Sequence, residues 1–191
     1  MSKQPPPQET DWPQGAIFTV GHSTLPIDKF IRLLHTYSIA CIADIRTVPR
    51  SRHNPQFNGD ALAHALNSEN IKYVPLPALG GLRHARKNSV NTGWRNKSFR
   101  GYADYMQTDS FAEALAVLIR MSRQKQTAIM CAEAVPWRCH RSLVADALGV
   151  RGIQVIDILS ESSYRVHKLT RFAHVEGTQI SYPPDQSGLL L

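Results

Sequence analysis

A chain of 191 residues, 42% apolar and 19% charged, fits one globular domain able to bury a core without disulfide or metal staples. No apolar run nears the roughly 20 residues that cross a bilayer, and the Pro- and Gln-rich start has no hydrophobic segment, so neither a membrane span nor a secretory signal is expected. A net charge of +7 favours anionic partners, while three unevenly spaced cysteines suit reduced thiols in a cytoplasm rather than a disulfide framework.

Residues 1–14 read as a disordered tail, 15–184 as one α/β domain and 185–191 as a second tail. Ala16 to Val20 predicts a buried strand that ends in Gly21-His22-Ser23-Thr24. Pro26 suits a first helical turn, and Ile27, Phe30, Ile31 and Leu34 repeat at helical spacing. The run Ile39 to Ile45 predicts a second strand, which breaks at Arg46-Thr-Val-Pro49. Short connections make this strand–helix–strand stretch a βαβ unit with a parallel pair. Asp60 is positioned to cap a helix carrying Leu62 and Leu66, and Ile71 to Val74 predicts a third strand.

From about Ala78 to Gly101 the chain makes a basic excursion over the sheet edge. No acidic residue lies between Glu69 and Asp104, whereas Arg83, Arg86, Lys87, Arg95, Lys97 and Arg100 do, with Trp94 among them. Basic groups for phosphates and aromatic faces for bases describe a nucleic-acid surface, and a solvated basic loop fits equally well. Beyond it, Ser110 opens a helix with Phe111, Leu115, Leu118 and Met121 on one face. Thr127 to Cys131 predicts the fourth strand, Cys139 to Leu148 a helix closed by Gly149, and Ile153 to Leu159 the fifth strand. The remainder carries no helical period and one hairpin signal at Glu176-Gly177.

Strands alternating with helices predict a three-layer α/β fold, a mainly parallel sheet of about five strands with helices on both faces, plus an irregular C-terminal segment. Ligands of such sheets gather outside the carboxyl ends of the strands. That rule selects His22 and Ser23, Asp44 and Arg46, Pro75 to Gly81, and Cys131 and Glu133, and all but the third set are polar or ionisable.

Several chemistries compete for these residues. His22, Asp44 and Glu133 suit proton transfer, but Asp44 could equally pair with Arg46 or Arg141 while His22 caps a turn. The Cys131 turn is a poor phosphatase loop. Six residues separate it from Arg138, none is glycine, and Glu133 would repel a phosphate. Cys139 is the better nucleophile: it begins a helix among Arg138, His140 and Arg141, which favours thiolate. Its other reading is a packed or hydrogen-bonded core thiol. Cys131, Cys139, His140 and His22 are soft donors, yet no Cys-x2-Cys clip accompanies them, so no metal is assigned and no cofactor is named by any pattern. Arg46, Arg50, His140 and Arg141, with Ser23, are the candidate anion ligands, arginine offering a planar fork to phosphate.

Together Gly21-His22-Ser23, Asp44-Ile-Arg46 with Pro49 and Arg50, Leu79-Gly80-Gly81, Cys131-Ala-Glu133, Cys139-His140-Arg141 and Tyr182-Pro183 resemble the bacterial and archaeal family called domain of unknown function 488. The resemblance spans about Phe18 to Pro183. It implies that the late segment belongs to the same domain and that these residues matter, and it supplies no substrate. The sequence reading is an anion site, for a phosphate, nucleotide or nucleic acid, at the strand ends. Three roles stay open: an enzyme acting on a phosphate-bearing substrate, a non-catalytic nucleotide or nucleic-acid binding module, and a metal- or thiol-redox-responsive protein.

Overall fold

In the computed structural model, which describes residues 12–184, a six-stranded sheet carries helices on both faces. In chain order the elements are β1 (Ile17–Gly21), α1 (Ile27–Thr36), β2 (Cys41–Asp44), α2 (Gly59–Ser68), β3 (Lys72–Pro75), α3 (Lys97–Tyr105), α4 (Asp109–Gln124), β4 (Thr127–Cys131), α5 (Arg141–Gly149) and β5 (Val155–Ser160). Three short strands follow, β6 (Ser163–Val166), β7 (His174–Glu176) and β8 (Gln179–Ser181). The expected tails lie mostly outside the described residues. Trp12, expected in the first tail, instead packs edge-on against Phe18 with ring centroids 5.1 Å apart. Among the described residues no helix is long and apolar enough to cross a membrane.

The strand order is β3-β2-β4-β1-β5-β6, with only β6 antiparallel to its neighbour. The sheet therefore has one more strand than the apolar runs predict. β6 was illegible because an edge strand buries little, and its four residues are half-buried or exposed. The first βαβ unit also differs from expectation. β1 and β2 do not pair; β4 lies between them, its register running Ile17 against Thr127 and Cys41 against Thr127.

Alternation along the strands feeds two cores. Phe18, Val20, Ala128 and Met130 face α1 and α2, joining Phe30, Leu34, Leu62 and Leu66. Ile17, Ile129 and Cys131 face the other side, joining Phe111, Leu115 and Leu118 of α4 and Leu143 and Leu148 of α5. Burying one such leucine or phenylalanine contributes roughly 1.5–3 kcal/mol, so these two layers dominate stability. β1 thus leads to a helix on one face while its neighbour β4 leads to a helix on the other. That reversal leaves a crevice between their carboxyl ends, where such sheets bind ligands.

Helix starts follow local chemistry rather than the first apolar residue. Asn58, not Asp60, is the residue before α2, and Asp60 lies in its first turn, where a negative charge suits the helix dipole. Thr108 rather than Ser110 caps α4, its hydroxyl accepting from the Phe111 N–H at 3.3 Å. α3 overlaps the end of the basic excursion and was not anticipated, because its residues are polar on average and include a glycine. Gly101 is required there: a Cβ would meet the Arg83 carbonyl oxygen and the backbone of His84 and Ala85. The hairpin signalled by Glu176-Gly177 is present as β7 and β8.

The late segment is tied to the core by polar contacts. Asp146 of α5 accepts from His167 Nε2 at 2.8 Å, the Thr170 N–H at 3.0 Å and the Tyr182 hydroxyl at 2.8 Å. Asp157 of β5 accepts from the Thr19 hydroxyl at 2.9 Å and Arg165 Nε at 2.8 Å, with His167 Nδ1 3.7 Å away.

Candidate functional site

The β1–β4 crevice opens into a cleft of about 650 Å³. Of the sequence candidates, His22, Ser23, Arg46, Arg50, Cys131, Glu133, Cys139 and His140 line it. Asp44 and Arg141 do not; both are buried beneath it. Sequence reasoning missed Val48 and Leu82 in the walls, since an apolar loop residue carries no chemical signature.

The two strands hold the cleft through their backbones. The β1–β4 pairing runs past the sheet, with the His22 N–H donating to Cys131 O at 3.1 Å and the Ser23 N–H to Ala132 O at 2.8 Å. Ser23 has φ 48°, a left-handed backbone that a non-glycine residue rarely adopts. Gly21 is needed because a Cβ there would run into the Glu133 carbonyl oxygen. Gly81 is needed for the same reason against the His140 ring.

On one wall Arg46 is clamped. Its Nε and Nη2 donate to Asp44 at 2.9 and 2.6 Å, its backbone N–H donates to the same carboxylate at 3.0 Å, and Tyr73 adds a hydroxyl at 2.7 Å. Its Nη1 lies 3.2 Å from His22 Nε2. That contact fixes the imidazole. Nε2 must accept from the guanidinium, so the proton sits on Nδ1 and is donated to Ser23 O at 2.9 Å. Burial, reinforced by the charges of Arg46 and Arg141, lowers the His22 pKa to about 4, against the opposing pull of the Ser23 carbonyl and Asp44. At neutral pH His22 is an uncharged ring stacked on Phe57 at 4.1 Å, and Arg46 bridges it to Asp44. Both members of the anticipated His22–Asp44 pair are thus occupied in holding Arg46.

The other wall holds the thiols. Cys131 ends β4 and Cys139 precedes α5 after a single turn at Pro136–Arg138. Cys139 Sγ is 3.5 Å from His140 Nδ1, and His140 Nε2 donates to Ile45 O at 3.2 Å, which leaves Nδ1 facing the sulfur. Cys139 titrates well below the ordinary thiol range. Its contact with the Cys131 thiol contributes most, then the His140 ring and charge and the Arg141 charge, with burial opposing. Cys131 is pushed up correspondingly by that contact and by burial, so it is the protonated partner. The three donor atoms, Cys131 Sγ, Cys139 Sγ and a His140 ring nitrogen, lie within 4.8 Å of one another and are the group suited to a soft metal.

Arg141 supplies a buried positive charge. It is fully buried, donates from Nη2 to the Glu133 carbonyl, and leaves Nε and Nη1 without a hydrogen-bond partner. A guanidinium removed from water calls for a counter-charge, and among the described residues no carboxylate pairs with it. Its charge acts on both neighbouring thiols and favours their ionised form. Glu133 is exposed at the mouth with no ion pair among the described residues, and Arg50 and Arg138 are exposed on the rim.

Several aromatic and basic side chains of the excursion are engaged by the fold itself. Trp94 packs between Phe99, Phe172 and Tyr182, with centroids 4.8, 4.9 and 5.5 Å away. Arg100 donates twice to the Trp94 carbonyl, and Arg83 donates to Gly80 O and Ala78 O while lying 3.6 Å over the Tyr105 ring. Buried Asp104 pins the loop by accepting from the Arg86 N–H, Ser89 and Asn91. Of its lysine and arginine side chains, those of Arg86, Lys87, Arg95 and Lys97 are exposed.

The model of the family described as domain of unknown function DUF488 matches residues 26–148. The matched stretch holds Asp44, Arg46, Cys131, Glu133, Cys139, His140 and Arg141, while His22 and Tyr182 fall outside it. No curated protein and no solved structure matches the chain.

Proposed function

We propose, from the premise that the chain belongs to the DUF488 family, that the β1–β4 cleft is the centre of an enzyme acting on a phosphate-bearing substrate. The unit that carries it is taken as a single domain of residues 15–184. Arg46, held rigid by Asp44, and Arg50 draw in the anion, and Ser23 stands at the same edge. Cys139 is the nucleophile, kept as thiolate by the Arg141 charge beneath it and the His140 ring beside it. Cys131 is the thiol that donates to it. Glu133 is the group at the mouth free to move protons to a leaving group.

The observation that carries this reading is the buried Arg141 guanidinium, two of its nitrogens unpartnered, set under two thiols at the floor of a cleft rimmed by arginine. Packing alone gives no reason for such a charge. A small molecule suits the cleft better than a long nucleic acid, because Trp94, Arg83 and Arg100 are engaged in holding the basic loop together.

Equilibrium binding of a nucleoside monophosphate to the reduced protein, with Arg50→Gln beside wild type, tests the anion site. Arg50 makes no ion pair among the described residues, so its loss leaves the fold unchanged. A loss of about tenfold in affinity, 1.4 kcal/mol, is expected for one charged hydrogen bond. Turnover of a phosphate monoester by wild type and its absence in Cys139→Ser tests the chemistry. Equal turnover by both removes Cys139 from the mechanism.

A further inference from the structure

The two thiols and the imidazole admit a second ligand, independent of any substrate. We infer that Cys131 Sγ, Cys139 Sγ and His140 Nδ1 form a site for a thiophilic divalent cation of the zinc class, with a fourth position open to the cleft. Around a tetrahedral ion bonded at about 2.3 Å to sulfur and about 2.05 Å to nitrogen, a sulfur and a nitrogen ligand sit about 3.5 Å apart and two sulfurs about 3.8 Å apart. Cys139 Sγ and His140 Nδ1 are already 3.5 Å apart. The three donor atoms fall within 4.8 Å of one another, so drawing in the widest edge takes about 1 Å of side-chain motion against that ideal.

The outer shell agrees. Imidazole ligands of metals characteristically donate their other ring N–H to a carbonyl or carboxylate, which fixes the tautomer. His140 Nε2 makes that bond to Ile45 O at 3.2 Å, and Gly81 fits closely against the ring. The thiols come from two rigid elements, the end of β4 and the turn entering α5. Binding of the cation releases the Cys131 proton to solvent. Two thiolates and a dication then sum to zero charge, and the Arg141 guanidinium beneath them leaves the site positive, so the fourth position favours water or an anion. A filled site uses the Cys139 lone pair. Metal binding and attack by Cys139 therefore exclude each other, and the cation acts as an inhibitor of the thiol chemistry proposed above.

Cobalt(II) is the probe, titrated into the reduced, metal-free full chain without a histidine tag. One equivalent is expected to give the intense visible bands of tetrahedral cobalt together with near-ultraviolet sulfur-to-cobalt absorption. X-ray absorption of the wild-type zinc form is expected to show two sulfurs at about 2.3 Å and nitrogen at about 2.05 Å, a result that needs no variant to fold. Cys131→Ser and His140→Gln should each weaken cobalt at least about tenfold, whereas Cys41→Ala, buried in β2, should not. A pale octahedral spectrum, a first shell of oxygen and nitrogen only, or affinity unchanged in both variants overturns the inference. Binding of the nucleoside monophosphate to metal-free protein, and its dependence on Arg50, stands or falls separately.

Discussion

Two buried polar clusters share α5 and are built on opposite plans. Around Asp146 and Asp157 both carboxylates are satisfied, by His167, Thr170 and Tyr182 on one and by Thr19 and Arg165 on the other. One ring nitrogen there, His167 Nδ1, is buried without a hydrogen bond, but the Asp157 carboxylate faces it at 3.7 Å, so the charges of the cluster are matched from within and what it holds is the late segment. Around Arg141, five residues before Asp146 on the same helix, and Cys139 just ahead of that helix, the charge is positive, the guanidinium keeps two nitrogens unpartnered, and the cleft opens above. A network whose charges face opposite charges stabilises the fold; a buried charge without a counter-charge is tolerated where function supplies the missing group.

Mutations should separate the two. Asp146→Ala is expected to have the largest effect on stability, about 3–5 kcal/mol, because it strands the partners of a buried charge. Urea denaturation measures it, and a loss under about 1 kcal/mol would deny the network its structural role.

The next effect is one of pH. Burial alone would lower the His167 pKa, yet hydrogen bonds and charges from Asp146 and Asp157 outweigh it and raise the value from 6.5 to about 9. A raised pKa means that the folded protein holds the proton more tightly. The resulting stabilisation, roughly 3 kcal/mol, is complete below the unfolded value and is lost as the pH climbs through about 9. Denaturation midpoints between pH 6 and pH 10 should fall accordingly in wild type and lose this component in His167→Ala.

Arg141→Met should behave in the opposite manner from Asp146→Ala. Replacing a buried, poorly partnered charge by an apolar side chain of similar volume leaves stability within about 1 kcal/mol of wild type, while turnover disappears. A large stability loss with activity retained would make Arg141 a structural residue and merge the two clusters into one class. The smallest effect belongs to the excursion. Neutralising Lys87, Arg95 and Lys97 together should change nucleoside monophosphate affinity by less than about twofold, since exposed charges off the cleft are screened by salt.

The sheet and the place of the cleft were legible because fully buried strands read as continuous apolar runs: Thr127 to Cys131 was bounded to the residue. The rule that ligands meet the carboxyl ends then found His22, Arg46, Cys131 and Glu133 without coordinates. What the sequence hid is pairwise. Asp44 and Arg46 sit two apart in the chain, but only the fold shows that Tyr73 and His22 complete their clamp. Arg141 reads as one more cation beside His140, and its burial beneath the thiols follows from an α5 enclosed on nearly every side. The packing of Trp94 was hidden for a related reason: its partners Phe172 and Tyr182 lie almost 80 residues later or more, beyond any local pattern.

The central claim, that the cleft between β1 and β4 is a functional centre for an anion, is tested most directly by calorimetric titration of a nucleoside monophosphate into reduced, metal-free protein. The account predicts a single site in wild type, weakened about tenfold by Arg50→Gln at unchanged unfolding temperature. Absence of binding, or identical affinity in the two proteins, would contradict it.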